Sequence, residues 1–165
     1  MRVFGIDPGY GRCGVAVVEK QEGKEVLLYS DCIETPMGAE FAARLLRVAD
    51  ECARLIREYA PDSIAMEKVF FSNNQKTAMQ VAEVRGALIN CASGFGLTVS
   101  EYSPGEVKVA IANSGKADKK QIAAMLRMLI AIKKPIKRDD EYDAIAIAVA
   151  HLALKHGDEA RKRLQ

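Results

Sequence analysis

The sequence predicts an α/β protein in which helices flank one mixed β-sheet. Three strand patterns follow one another in the first third of the chain, and helical and strand patterns alternate after them. Consecutive strands joined by turns form an antiparallel meander, whereas strands separated by helices pair in parallel, so we expect both orientations in one five-stranded sheet. The expected order is β-β-β-α-β-α-β-α-α-α. No repeat or linker interrupts it, and we treat residues 1–165 as one domain.

Turn residues separate the strands of the opening meander. Residues 3–6 form a short apolar strand, and the Asp7-Pro8-Gly9-Tyr10-Gly11 sequence after it has the proline and glycines of a tight turn. Strand patterns return over residues 13–18 and within residues 25–33. Asp7 is therefore expected at the end of the first strand.

An apolar stripe predicts the first helix. Apolar side chains recur at steps of four and three between Phe41 and Tyr59, and arginines lie off the stripe. We expect Thr35 to cap this helix and Pro36 to lie in its first turn, because threonine and proline favour those positions. Pro61 is expected to end it.

Local signals also place the later elements. Residues 63–67 form a buried strand that finishes on an acid, and residues 97–102 form the last strand. Gly94 is expected to end a helix over about residues 75–92. Capping-box spacings from Ser103 to Glu106 and from Asp118 to Gln121 predict the starts of two further helices, the second of which ends before Pro135. A last helix is expected from near Asp140 to about Lys155, before Gly157.

Composition excludes several classes of protein. Hydrophobic residues make up 49% and charged residues 28% of the 165 residues, which is typical of a folded globular chain. No apolar run approaches the ~18 residues of a membrane helix, and Asp7 interrupts the N-terminal apolar stretch, so we expect a cytoplasmic location. No C-x-x-C pair occurs, and we expect the cysteines to be core thiols. They are Cys13, Cys32, Cys52 and Cys91.

Charge is unevenly distributed along the chain. Residues 31–67 carry eight acids and four bases, a net charge of −4, whereas residues 108–138 carry nine bases and one acid, a net charge of +8. So basic a segment favours a polyanionic partner over a solvated helix face, since its charges cluster around turns as well as helices. We expect Lys116, Lys119 and Lys120 to contact phosphates at the start of a helix.

Four acids lie where solvated acids are not expected. Asp7 and Glu67 each end an apolar strand, and Asp140 and Asp143 lie on one face at the start of an alanine-rich helix. Carboxylates from different elements are the ligands that Mg²⁺ uses in two-ion phosphodiester cleavage. Each acid alone also allows a structural interpretation, as a turn residue, an edge acid or a helix cap, and either Asp139 or Asp140 could cap the last helix.

Several motifs resemble the RuvC-type Holliday junction resolvases. They follow the family's order from Met1 to about His151. The stretches that carry the resemblance are GIDPG at 5–9, IAMEKVFF at 64–71 with Asn74, EVRG at 83–86, SP at 103–104, VK at 107–108, SGKADKKQ at 114–121 and DEYDAIA at 140–146. Four positions depart from the commonest pattern, namely Lys68, Asp139, Glu141 and Tyr142.

The resemblance implies a ribonuclease-H-like fold and a structure-selective endodeoxyribonuclease. Its cofactor would be Mg²⁺, replaceable by Mn²⁺, with two ions per active site. A homodimer would nick two opposed strands of a four-way DNA junction and leave 5′-phosphates, in homologous recombination and DNA repair, after branch migration by a motor complex of the RuvA and RuvB type. The implied catalytic and metal-binding residues are Asp7, Glu67, Asp140 and Asp143. Phe70 matches an aromatic near the junction centre, and Lys108 and Lys119 match bases that contact DNA.

The predicted helix over residues 75–92 has apolar side chains on more than one side. We expect it to contribute to a dimer interface, because close helix approach would explain Gly86 inside it.

Three other functions are compatible with parts of the pattern. One is an RNA-directed nuclease of the same fold, similar to YqgF, although the basic segment and Phe70 fit DNA junctions better. Another is a junction-binding module whose acids are structural. The third, a nucleotide-binding ATPase lobe, fits least, since 165 residues leave no second lobe to close around ATP.

Overall fold

A computed structural model of the chain describes the backbone of residues 1–68 and 75–162 and the side chains of residues 1–68 and 78–155. Its elements follow the predicted order. They are β1 (Arg2–Asp7), β2 (Arg12–Gln21), β3 (Lys24–Glu34), α1 (Phe41–Tyr59), β4 (Ser63–Glu67), α2 (Gln75–Gly94), β5 (Val99–Tyr102), α3 (Pro104–Ala112), α4 (Lys119–Leu129) and α5 (Asp139–Lys162).

The five strands form one mixed sheet in the order β3-β2-β1-β4-β5. The β1–β2 and β2–β3 pairs are antiparallel, and the β1–β4 and β4–β5 pairs are parallel, which confirms the predicted mixture. β1 is the central strand. Asp7 at its end pairs with Gly14 of β2, and Ile6 pairs with Met66 of β4.

Side chains alternate between the two faces of the sheet, and each face has its own core. Phe4 and Ile6 point to the face covered by α1 and α2, where they pack with Leu55 and Leu88. The opposite face of β1 and β2 is covered by α5, and α3 and α4 pack around that helix. Helices therefore flank the sheet on both sides, as predicted.

α5 lies unusually close to the sheet. A Cβ added at Gly5 would overlap the backbone oxygen of Ala144, and one added at Gly14 would overlap the backbone oxygen of Asp140. Only glycine leaves room for a helix backbone at these two positions. The start of α5 is thereby held directly above β1 and β2.

Some helix boundaries lie where they were predicted, and others differ. The capping boxes at Ser103 and Asp118 are confirmed. The predicted start of α1 is wrong, because the Thr35 hydroxyl donates to the Tyr10 carbonyl oxygen at 2.6 Å and so ties β3 to the turn after β1; the helix begins only at Phe41. The predicted end of α5 is also wrong, since the helix passes through Gly157, whose cost of about 1 kcal/mol does not stop it.

Cys13 and Cys52 are buried thiols as expected, whereas Cys32 and Cys91 are partly exposed, and all four are free. No helix in the described part of the chain is both long and apolar enough to cross a membrane.

Candidate active site

Two of the predicted acids lie side by side at the carboxyl edge of the sheet. Asp7 ends β1 and Glu67 ends the neighbouring parallel strand β4, one residue beyond the paired Ile6 and Met66. The preceding residues, Ile6 and Met66, pack on the face covered by α1 and α2, so the two acids point to the opposite face, which α5 covers, because side chains alternate along a strand. The two carboxyl groups therefore face the same helix.

The other two acids come from that helix. Asp140 and Asp143 lie in the first two turns of α5, three residues apart and hence on one side of it. The backbone oxygen of Asp140 lies directly over Gly14, the residue that pairs with Asp7. The fold thus brings all four predicted acids to one end of the sheet.

Electrostatics show how closely the acids are grouped. Burial, followed by the negative charges of Glu67, Asp143 and Asp140, raises the pKa of Asp7 to about 8, and Lys119 opposes the shift. Burial likewise raises the pKa of Glu67, with a further contribution from Asp143. Burial also raises the pKa of Asp143. Like-charged groups that share a poorly hydrated site resist ionising together, and a cation relieves that repulsion.

Two basic side chains partly neutralise the cluster. Lys119, at the start of α4, donates from Nζ to Asp143 Oδ2 at 3.4 Å and to Asp139 Oδ2 at 3.2 Å. Arg12 Nε lies 3.3 Å from Asp140 Oδ2. That buried oxygen nevertheless accepts no hydrogen bond from the residues that the structure describes. Lys119 is well exposed, so solvent and other anions can reach it.

The donor set fits a hard divalent cation. All four groups are carboxylates, which Mg²⁺ and Mn²⁺ prefer, and Asp140 Oδ2 has lone pairs to offer. As the described side chains stand, no three Asp, Glu, His or Cys residues are arranged to hold an ion. The match between these residues and a divalent cation therefore rests on the chemistry of the carboxylates and on the raised pKa values of the acids.

A cavity of about 470 Å³ adjoins the acids. Glu67 and Asp143 form part of its wall, and Lys108, Lys119 and Lys120 form another part. Apolar residues of α3, α4 and α5 also line it, including Val107, Ile122, Ala146 and Ile147. Three predicted phosphate-binding lysines thus lie beside the carboxylates, and a chain that carries phosphates could contact both.

The other two predicted DNA contacts are Lys116 and Phe70. Lys116 is exposed in the segment before α4 and is not part of the cavity wall. Phe70 lies outside the described residues.

His151 lies about three helical turns beyond Asp140 on α5 and is separate from the acids. Its imidazole is fully buried, with Nε2 3.1 Å from Ser63 Oγ and Nδ1 2.8 Å from the Tyr102 hydroxyl. Burial lowers its pKa to about 4. His151 therefore stays neutral near pH 7 and joins α5 to β4 and β5.

Sequence reasoning missed several residues around the site. The pairing of Arg12 with Asp140 and of Lys119 with Asp139 was not predicted, and neither was the burial of Glu141. The close approach of α5 left a readable signal, because glycines in β1 and β2 face a helix rich in alanine. Arg12 left no comparable signal.

Comparison with known proteins agrees with this arrangement. The family model for "Crossover junction endodeoxyribonuclease RuvC" matches residues 3–151. The chain belongs to the RuvC family. A relative from Corynebacterium glutamicum with that same name is 43% identical over 152 residues, which is 92% of this chain and 69% of the relative.

Solved structures give the same result. The RuvC structure of Thermus thermophilus is 29% identical and superposes with a TM-score of 0.88 over 96% of this chain and 97% of that one. T. thermophilus RuvC in complex with a Holliday junction substrate is 28% identical, with a TM-score of 0.86 over 95% and 96% of the two chains. As a family member, the chain is an endodeoxyribonuclease that resolves Holliday junctions, and its family implies a divalent metal.

Proposed function

We propose that the chain resolves four-way DNA junctions by Mg²⁺-dependent hydrolysis of two opposed strands, with one cut made by each subunit of a homodimer. The observation that carries the proposal is the convergence of four carboxylates from β1, β4 and α5 at one end of the sheet. The raised pKa of Asp7, about 8, supports a site that needs a cation to be fully ionised. We also propose a cytoplasmic location, because the relatives that the chain resembles are bacterial proteins named for their action on DNA.

We assign a ligand role to each acid. Asp7 would be the central ligand of the metal site, since it ends the central strand and its pKa responds to the charges of all three other acids. Glu67 would bind from one side, and Asp140 and Asp143 from α5 would bind from the other. Bound Mg²⁺ would activate water and stabilise the leaving oxygen of the phosphodiester.

The lysines of the cavity bind the strand to be cut. Lys108, Lys119 and Lys120 face the same cavity as Glu67 and Asp143, so they would hold phosphates next to the carboxylates. Lys116 and Phe70 are proposed as further DNA contacts on their family match and sequence position. Phosphate contacts of this kind position DNA without reading its sequence.

A homodimer is proposed because symmetric cutting needs two sites. α2 buries Val84 and Leu88 within its own chain but leaves Met79 62% exposed and Ile89 36% exposed. A Cβ added at Gly86 would meet nothing within 4 Å, so the space beside it is free in a single chain. These features support α2 as part of the interface. A motor complex of the RuvA and RuvB type is proposed as the upstream partner.

The deciding experiment maps cuts on all four arms of a labelled synthetic junction, with Mg²⁺ and with chelator. We expect paired nicks on opposed strands that need Mg²⁺, and Asp7→Asn should abolish them while junction binding persists. A wild-type cleavage rate for Asp7→Asn would refute the assignment. Tight binding without cuts would point to a binding module, and cleavage of structured RNA in preference to the junction would point to an RNA-directed nuclease.

A further inference from the structure

Glu141 is a buried carboxylate inside the first turn of α5. It is 5% exposed and lies between the proposed ligand Asp140 and Tyr142. Ser30 of β3, itself 3% exposed, donates from Oγ to Glu141 Oε1 at 2.6 Å. Lys134 Nζ lies 2.7 Å from the same oxygen and also donates to the Ser30 carbonyl oxygen.

This three-residue network joins parts of the chain that are far apart in sequence. Ser30 belongs to β3, Lys134 to the segment between α4 and α5, and Glu141 to α5. A buried charge without partners is costly, so the network holds Glu141 in one orientation. A small apolar residue at this position would pack without any such constraint.

The network lies beside the other fixed contact of the helix, on the neighbouring strand of the sheet. The Asp140 carbonyl oxygen rests on Gly14 of β2, and the Glu141 carboxylate is tied to the neighbouring strand β3. Two anchors on adjacent strands fix both the height and the rotation of the first turn of α5. The direction of the Asp140 and Asp143 side chains depends on that rotation.

We propose that Glu141 is a positioning residue, which acts through Ser30 and Lys134 to orient Asp140 and Asp143 toward the ion that Asp7 and Glu67 face. The inference rests on the proposed function in one respect, since it takes Asp140 and Asp143 as metal ligands. Residues that orient metal ligands commonly change metal affinity by about 10–100-fold when they are replaced.

The test measures Mn²⁺ binding to the DNA-free protein by the electron paramagnetic resonance of unbound Mn²⁺. Glu141→Ala and Ser30→Ala are expected to weaken Mn²⁺ binding by about tenfold or more. Glu141→Gln keeps an oxygen that can accept from Ser30, so it should recover most of the affinity. In cleavage assays the same variants should need more Mg²⁺ for half-maximal rate, with KM for the junction unchanged.

Ser63→Ala is the matched control. Ser63 is 4% exposed and hydrogen-bonded to buried His151, so its loss also removes a buried hydrogen bond. It should lower thermal stability comparably without changing Mn²⁺ affinity. If Ser30→Ala and Glu141→Ala bind Mn²⁺ as Ser63→Ala does, the positioning role is refuted.

Two further variants keep the result interpretable. Lys134→Met alters a side chain that is 47% exposed, so it tests the network even if Glu141→Ala does not fold, and unchanged Mn²⁺ affinity in Lys134→Met and Ser30→Ala would also refute the role. Asp140→Asn tests the proposed function itself. Wild-type Mn²⁺ binding and cleavage in Asp140→Asn would overturn the ligand assignment, whereas its inactivity beside unaffected Ser30→Ala would overturn the positioning role alone.

Discussion

Replacing Asp7 by asparagine should stabilise the metal-free protein at alkaline pH. In the folded chain Asp7 keeps its proton up to about pH 8, whereas the unfolded chain releases it near the ordinary value of 3.8. The folded state therefore holds more protons between these two pH values, and the contribution of Asp7 to stability falls as pH rises through that window. Asparagine has the same shape and no charge, so the variant should not show the loss of stability with rising pH that Asp7 causes.

The pKa shift of Asp7 determines how much the free energy of unfolding changes with pH. Each pH unit corresponds to about 1.4 kcal/mol, so a rise from 3.8 to about 8 could cost up to about 6 kcal/mol once Asp7 is ionised. Water reaches the partly buried carboxylate, and Lys119 opposes the shift. We therefore expect Asp7→Asn to gain roughly 2–4 kcal/mol over the wild type between pH 5 and pH 8.5.

Urea unfolding in chelator at the two pH values measures the difference. Asp31→Asn, which alters an exposed acid on β3, is the control and should follow the wild type. Saturating Mg²⁺ at pH 8.5 should stabilise the wild type and not Asp7→Asn, because a ligand stabilises only the state that binds it. An identical change in stability between pH 5 and pH 8.5 for Asp7→Asn and the wild type would refute the reasoning.

Three further changes test the DNA contacts, the packing of α5 and the dimer. Lys119→Ala should weaken binding to all junction sequences alike and lower the salt slope by about 1, and an unchanged slope in titrations would exclude a phosphate contact. Gly14→Ala should abolish cleavage and cost about 1–3 kcal/mol in urea unfolding, because the new methyl group overlaps the Asp140 carbonyl oxygen. Gly86→Ala should favour the helix by about 1 kcal/mol yet weaken a dimer that packs there, and unchanged sedimentation would move the interface elsewhere.

Local signals were enough to predict most of the fold. Turn residues and strand patterns are read from neighbouring positions, so the element order and the placement of Asp7 and Glu67 at strand ends could be predicted. The start of α1 could not be predicted in this way. The Thr35 hydroxyl donates to the carbonyl oxygen of Tyr10, 25 residues away in sequence, and does not cap the helix. Propensity is overridden where tertiary contacts are stronger.

The surroundings of the acids were harder to predict than the acids themselves. Ser30 and Glu141 are 111 residues apart, and Arg12 reaches Asp140 from another strand. Such pairings depend on which strand lies beside which helix, and a single sequence does not show that. The grouping of the four acids could be predicted without this knowledge, because each lies at the end of a strand or near the start of a helix.

The same small residues build both the core and the site. Gly5 and Gly14 let the backbone of α5 rest on β1 and β2. Asp7 lies two residues after Gly5 and pairs with Gly14, and Asp140 itself supplies the backbone oxygen that lies over Gly14. Their separation is thus governed by backbone packing, which deforms far less than long side chains do. Catalytic groups must be held to within about 0.5 Å, and rigid elements meet that demand better than loops. A larger residue at Gly14 is therefore expected to abolish cleavage activity at a cost in stability that leaves the protein folded.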